Sequence, residues 1–220
     1  MLSTRHVLAA LAISALISAS IGGSGFAAGS QFSDLGATKD KDKIESLHDR
    51  GFVQGLTASQ FKPDQALTTA EGVQLISGGF QLSLAAIDFV KAPEASDLFA
   101  KVPNSAWYAQ AFINAHYNHV ELPSDLDPKA PLTKEQFTFY LIQGMEQAGG
   151  LPMINIKPVD ISDEDQLTAS YQGAIQRSLT YKVNTLDSSG AFHPKEKITR
   201  AEAAVMLYNA LEYLKEHQPK

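Results

Sequence analysis

The chain has no cysteine among its 220 residues. A disulfide framework, a thiolate metal site and a cysteine nucleophile are therefore all excluded. Basic residues are in the minority, 18 against 24 acidic ones, and no basic footprint for nucleic acid or anionic lipid is present. Long apolar runs are scarce as well. Beyond one near the N-terminus, none approaches the roughly 20 residues that a membrane-spanning helix needs. A G-x-S-x-G elbow, an H-E-x-x-H pair and a phosphate-cradling glycine loop are also missing, so the familiar local signatures of hydrolases and nucleotide enzymes are not there. Tryptophan occurs once, at Trp107.

The N-terminal apolar run reads as a leader. Arg5 and His6 precede Val7 to Ile21, and Gly25-Phe26-Ala27 places small residues at the −3 and −1 positions of a cleavage site after Ala27. A retained anchor fits less well, because the run is short and carries Ser14, Ser18 and Ser20. Residues 1–27 are thus expected to be a signal peptide, and the mature chain a secreted one with no membrane contact after cleavage. Its loss removes Arg5 and no acid, moving the net charge from −6 to −7. Without disulfides the remainder must rely on a packed core, and about 190 residues are enough for one.

What the sequence does contain is a repeat. Pro63, Pro128 and Pro194 are each followed five residues later by a threonine, within FKPDQALTTAE, LDPKAPLTKEQ and FHPKEKITRAE. Thr68 and Thr133 lie 65 residues apart, Thr133 and Thr199 66, which marks three copies of one unit. Each threonine, with Glu71, Gln136 or Glu202 three residues on, forms a capping box and predicts a helix start. Leu67, Leu132 and Ile198 precede the caps, and Leu132 can staple onto Phe137. Behind the caps run apolar stripes: Val73, Ile76 and Phe80; Phe137, Tyr140, Leu141 and Met145; Ala203, Met206, Leu207, Ala210 and Leu211. Phe61, Leu126 and Phe192, two residues before each proline, read as buried plugs of a turn.

The first halves of the copies are looser. FSDLG, FAKVP and PVDIS open them, and Ile44, Phe112 and Ile175 each have an apolar partner eight residues later, predicting a first helix. The expected boundaries are 28–80, 99–145 and 158–220, separated by a connector at 81–98 with a short helix ending near Pro93 and a linker at 146–157. The unit is helix, loop with a proline turn, capped helix. Such units cannot bury their faces alone and must pack on one another. His116 and His119, near Glu121, sit three apart on the predicted helix but lack a third ligand for zinc. The acids Asp160, Asp163, Glu164 and Asp165 lack a calcium loop's alternation and glycine, and suit a helix start after Ser162.

ITRAEAAVMLYNAL (198–211), AWYAQAFINA (106–115) and GFVQG (51–55) resemble the S-layer homology domain, and the resemblance extends over residues 32–214. It implies an all-α fold in which three helix-loop-helix pseudo-repeats pack as a trefoil-like three-fold prism. It further implies a non-catalytic, cofactor-free module at the bacterial cell wall, gripping a secondary cell-wall polysaccharide, often pyruvylated, in inter-repeat grooves. By the family's pattern Arg200, Asp34 and Trp107 would face such grooves. Lys134 and Thr69 stand at the arginine position of the other copies, and Lys101 and Asp160 at the opening aspartate. No copy holds the full set, so one or two grooves at most are expected to be competent.

Each of these residues also has a plainer reading. Arg200 can be a solvated first-turn residue, at odds with the helix dipole by a few tenths of a kcal/mol; Lys134 would offer a ligand a point charge where arginine offers a fork. A lone tryptophan can equally be core. The erosion to Thr69 and Lys101 leaves open an alternative function, a prism without sugar binding that acts as a structural domain or binds another exported protein.

Overall fold

A computed structural model describes residues 32–151 and 156–217; the expected signal peptide and Pro152 lie outside them. The elements in order are α1 (Lys41–Asp49), α2 (Thr69–Gly79), α3 (Ala95–Leu98), α4 (Ala109–Tyr117), α5 (Lys134–Gly149), two 3-10 turns (Glu164–Gln166 and Ala169–Tyr171), α6 (Gln172–Thr180) and α7 (Arg200–His217). The fold is all-α. Among the described residues, β pairing is confined to isolated bridges.

The three capping boxes form as the sequence requires. Thr68 Oγ1 accepts from the Glu71 N–H at 3.3 Å while Glu71 Oε2 accepts from the Thr68 N–H at 2.9 Å. The same reciprocal bonds join Thr133 to Gln136 and Thr199 to Glu202. An α-helix leaves four N–H groups without internal partners, and the box accounts for two of them, those of the threonine and of the residue three on. The other two are taken by a neighbouring proline turn. Thr69 and Ala70 donate to the carbonyls of Ala130 and Pro128, Lys134 and Glu135 to those of Glu196 and Pro194, and Arg200 and Ala201 to those of Gln65 and Pro63. The proline five residues before each threonine thus supplies an acceptor to another helix, and each capped helix is finished by a segment far away in sequence.

These exchanges close on themselves. The Leu67 N–H donates to Ile198 C=O at 2.9 Å, Ile198 to Leu132 at 3.0 Å, and Leu132 to Leu67 at 3.0 Å, a ring of three backbone hydrogen bonds. Each bond contributes about 0.5–1.5 kcal/mol, and a buried donor left unpaired would cost about 1–3 kcal/mol. Below the ring, α2, α5 and α7 each pack on the other two, while α4 packs on α2, α6 on α5 and α1 on α7. The first helix of each unit therefore lies against the capped helix of the preceding one, and the first unit's against the last.

Packing around the ring is complementary rather than uniform. Four residues after the three threonines stand Gly72, Phe137 and Ala203. Phe137 is fully buried, and a Cβ on Gly72 would lie 2.5 Å from Leu132 Cδ1 and 3.4 Å from a Phe137 ring carbon. One large side chain fills the space that the other two give up. Seven residues further along, Gly79, Gly144 and Ala210 keep the helices close; a Cβ on Gly79 would stand 2.6 Å from Leu207.

Several details differ from the sequence reading. The run 82–90 forms no helix, and the short helix α3 follows Pro93 instead of ending there. Only Leu82 of that run is buried and Val90 is fully exposed, so no continuous apolar face exists to fold against the core. α5 continues through 146–149 and stops at Gly150, whose φ of 55° provides the left-handed cap. Phe61 and Phe192 are buried plugs, whereas Leu126 is half-buried. His119 lies past the end of α4 with φ 60°, off the helix that carries His116.

Candidate functional site

The opening aspartates act on the proline turns. Asp34 accepts from the N–H groups of Phe61 (2.9 Å) and Lys62 (2.8 Å), and Asp163 accepts from those of Phe192 and His193, both at 2.8 Å. Ser33 donates to Ser59 C=O as Ser162 donates to Gly190 C=O and Ala100 to Ser124 C=O, which fixes the register. The residue matching Asp34 is therefore Asp163, not Asp160. Asp160 is exposed, three residues early. PVDIS holds Asp160 and is followed at once by Asp163, and only the distant turn selects between the two aspartates. Asp163 correspondingly serves that turn rather than capping a helix after Ser162.

Each grip holds a backbone that few side chains adopt. Lys62 has φ 61° and His193 φ 59°, both just before the proline, a left-handed conformation that non-glycine residues adopt only when their surroundings enforce it. Where the aspartate is replaced by Lys101, the corresponding residue Asp127 is not left-handed. Burial pushes the Asp34 and Asp163 carboxyls up, but the paired N–H groups outweigh it and hold both below the ordinary aspartate value.

Arg200 meets the Asp34-braced turn from the other side. Its side chain is 11% exposed. Nε donates to Phe61 C=O and Nη2 to Gln54 C=O, both at 2.9 Å, and the guanidinium lies 4.8 Å from the centre of the Phe61 ring. Nη1 makes a long 3.5 Å contact with Glu71 Oε1. Arg200 thus spans from the start of α7 to the GFVQG loop and to the capping box of α2. Burial opposes its charge, while Glu71 and then Asp34 support it.

These groups line a cleft of about 550 Å³, together with Leu56, Gln74, Leu75 and Trp107. Trp107 stands just before α4 and is 66% exposed, not core. Its ring meets Tyr108 edge-on with centroids 5.2 Å apart, which steadies an otherwise outward indole. Three of the residues singled out from sequence therefore converge: Arg200 and Trp107 on the cleft, and Asp34 behind the Phe61 turn. Glu71 and Gln54 were missed as participants. Glu71 looks like a cap residue and nothing more, and Gln54 contributes a backbone carbonyl that carries no side-chain signal.

Lys134 occupies a second junction, 4.8 Å from the centre of the Phe192 ring, beside a cleft of about 430 Å³ that Glu202 and Asp64 also line. Burial pulls its pKa down, opposed first by Glu202. At the third junction Thr69 is 1% exposed, its hydroxyl donating to Ala130 C=O at 3.0 Å. Among the described residues no cluster of three or more His, Asp or Glu could hold a metal, and no helix is long and apolar enough to cross a membrane.

Residues 160–204, which include Asp163, Phe192 and Arg200, match the S-layer homology domain. The chain is 27% identical over 184 residues to the exoglucanase XynX of Acetivibrio thermocellus, covering 82% of this chain and 16% of that protein. It is 27% identical over 184 residues to an amylopullulanase of Thermoanaerobacterium thermosulfurigenes, covering 82% and 9%. With the endo-1,4-beta-xylanase A of Thermoanaerobacterium saccharolyticum it shares 30% identity over 113 residues, 50% of this chain and 9% of the xylanase. The chain thus spans only a small part of the length of these relatives. It carries an S-layer homology domain, a module of cell-wall anchoring.

Proposed function

We propose that this S-layer homology chain is an exported, non-catalytic module that holds a cell-wall polysaccharide in the junctions between three tandem repeats, with the Arg200 cleft as the principal site. The closed ring of backbone bonds and the cyclic packing of α2, α5 and α7 support the reading of the whole as a trefoil-like prism of three repeats. The observation that carries the binding site is the pairing of a charged fork with an exposed indole in one cleft. An indole face suits the apolar face of a sugar ring. Three of the five N–H donors of Arg200 are engaged by the protein, and the contact with Glu71 is long enough to be traded. A ligand carboxylate, such as the ketal acid of a pyruvylated sugar, can replace it with charge-assisted bonds.

The test is co-sedimentation with purified bacterial walls before and after chemical removal of the secondary polymer. The protein should pellet with intact walls and remain in solution with stripped ones; equal pelleting in both rejects polymer recognition. Arg200→Ala should weaken wall binding by roughly 1.5–3 kcal/mol, the worth of a hydrogen bond to a charged group, with helical content retained. One observation favours the alternative, a prism kept as a structural or protein-interaction domain. The Thr69 junction is sealed, so at least one of the three positions is not built to bind.

A further inference from the structure

Trp107 lines two clefts. Besides the Arg200 cleft, its indole borders an adjoining one of about 350 Å³, lined also by Gln74, Ser77, Gln81, Gln110 and Asn114. Gln74, Gly78 and Trp107 belong to both, so the two adjoin at the indole. Their chemistry differs sharply. The first holds Arg200 and Glu71; no charged side chain lines the second, whose polar side chains besides the indole are carboxamides and a hydroxyl, with Leu82 and Ala111 beside them. Two of the carboxamides, Asn114 and Gln110, are also held in place. Asn114 donates from Nδ2 to Leu82 C=O at 2.8 Å and accepts at Oδ1 from Gln110 Nε2 at 2.8 Å, so their orientation is fixed before any ligand arrives.

We infer that the amide-lined cleft is a second subsite, which takes an uncharged sugar unit of a chain whose acidic unit lies at Arg200, with Trp107 as the platform between them. This deepens the polysaccharide reading above and rests on it. Carboxamides donate and accept at once, matching the hydroxyl and N-acetyl groups of a neutral sugar. An acidic unit would lose its hydration there and find no countercharge. The indole, exposed and shared, can support a ring on its way from one cleft to the other.

The test uses the polysaccharide released from purified walls, partially hydrolysed and sorted by length, titrated calorimetrically into the full chain. For the wild type, affinity should rise about tenfold from single-unit fragments to those of two or three units, the gain from one or two extra hydrogen bonds. The double variant Gln81→Ala/Gln110→Ala alters only the second cleft. It should abolish that rise and leave single-unit binding unchanged. Retention of the rise, or an equal loss at every length, overturns the subsite. If fragments bind the wild type with no dependence on length, the subsite fails and the polysaccharide reading stands. If no fragment of any length binds, both fail. Circular dichroism checks the fold, which both glutamines should leave intact because they are exposed.

Discussion

The Arg200 and Thr69 junctions share one backbone. In both, the first two N–H groups of a capped helix donate to the carbonyls of a foreign proline turn, at 2.8 to 3.0 Å. In side chains they are opposites. Arg200 reaches 3.5 Å from Glu71, the capping residue of the next helix; the short Thr69 side chain ends on Ala130 C=O, and the next capping residue is Gln136. Lys134 follows the arginine pattern, with Glu202 the acid that most supports its charge. Glutamate and glutamine cap equally well here, since Gln136 Oε1 accepts the Thr133 N–H at 3.0 Å. The choice between them follows the charge delivered by the preceding helix, and scaffold and site are written at the same positions.

The largest effect should come from breaking the packing complementarity beneath the ring. Phe137→Ala should destabilise the fold by about 3–5 kcal/mol, read by denaturant unfolding, because Gly72 and Ala203 cannot fill the void. A loss below about 1 kcal/mol would mean that the three positions are interchangeable after all.

Next comes the charge rule itself. Thr69→Arg alone places a guanidinium at a sealed position with no countercharge and should destabilise by about 1–3 kcal/mol. Adding Gln136→Glu should recover most of that loss and raise the stoichiometry of wall-polymer binding. If the double variant is no more stable than the single one, the pairing of first-turn cation and capping glutamate is coincidental.

The caps predict equality where the site residues predict contrast. Thr68→Ala, Thr133→Ala and Thr199→Ala should each cost about 1 kcal/mol, measured as shifts in denaturant midpoint. One threonine costing several times the others would show that its box does more than cap.

The smallest effect concerns pH and again separates two junctions. His193 occupies the place of Lys62, and its Nε2 lies 2.7 Å from Asp187 Oδ2. That hydrogen bond raises its pKa against burial, with the charges of Glu196, Asp187 and Asp163 adding to it. Since the folded value lies above the unfolded one, near 6.5, the stabilisation is complete below about pH 6.5 and is lost as pH rises through the raised value. Thermal unfolding of the wild type should fall slightly between pH 6 and pH 8.5, and His193→Gln should flatten that slope. An unchanged slope removes His193 from the account. Asp34 and Asp163 act in the opposite sense: their depressed values give stability above about pH 3.9 that is lost as pH falls.

The sequence by itself determined the local signals of the three capped helices. A capping box joins residues three apart, a proline turn five, and an apolar stripe three or four, so helix starts at Thr68, Thr133 and Thr199 and buried plugs at Phe61 and Phe192 could be read directly. Arg200 and Trp107 could be singled out as unusual for their places. The tertiary structure alone decided what joins distant residues. It closed the ring through Leu67, Leu132 and Ile198 and chose Asp163 over Asp160 by the N–H groups of Phe192 and His193. It turned Trp107 outward beside an arginine 93 positions away. The reason is physical: the first-turn N–H groups that a capping box leaves free are satisfied by a neighbouring unit, so part of what completes each helix and each cleft lies outside the segment that needs it.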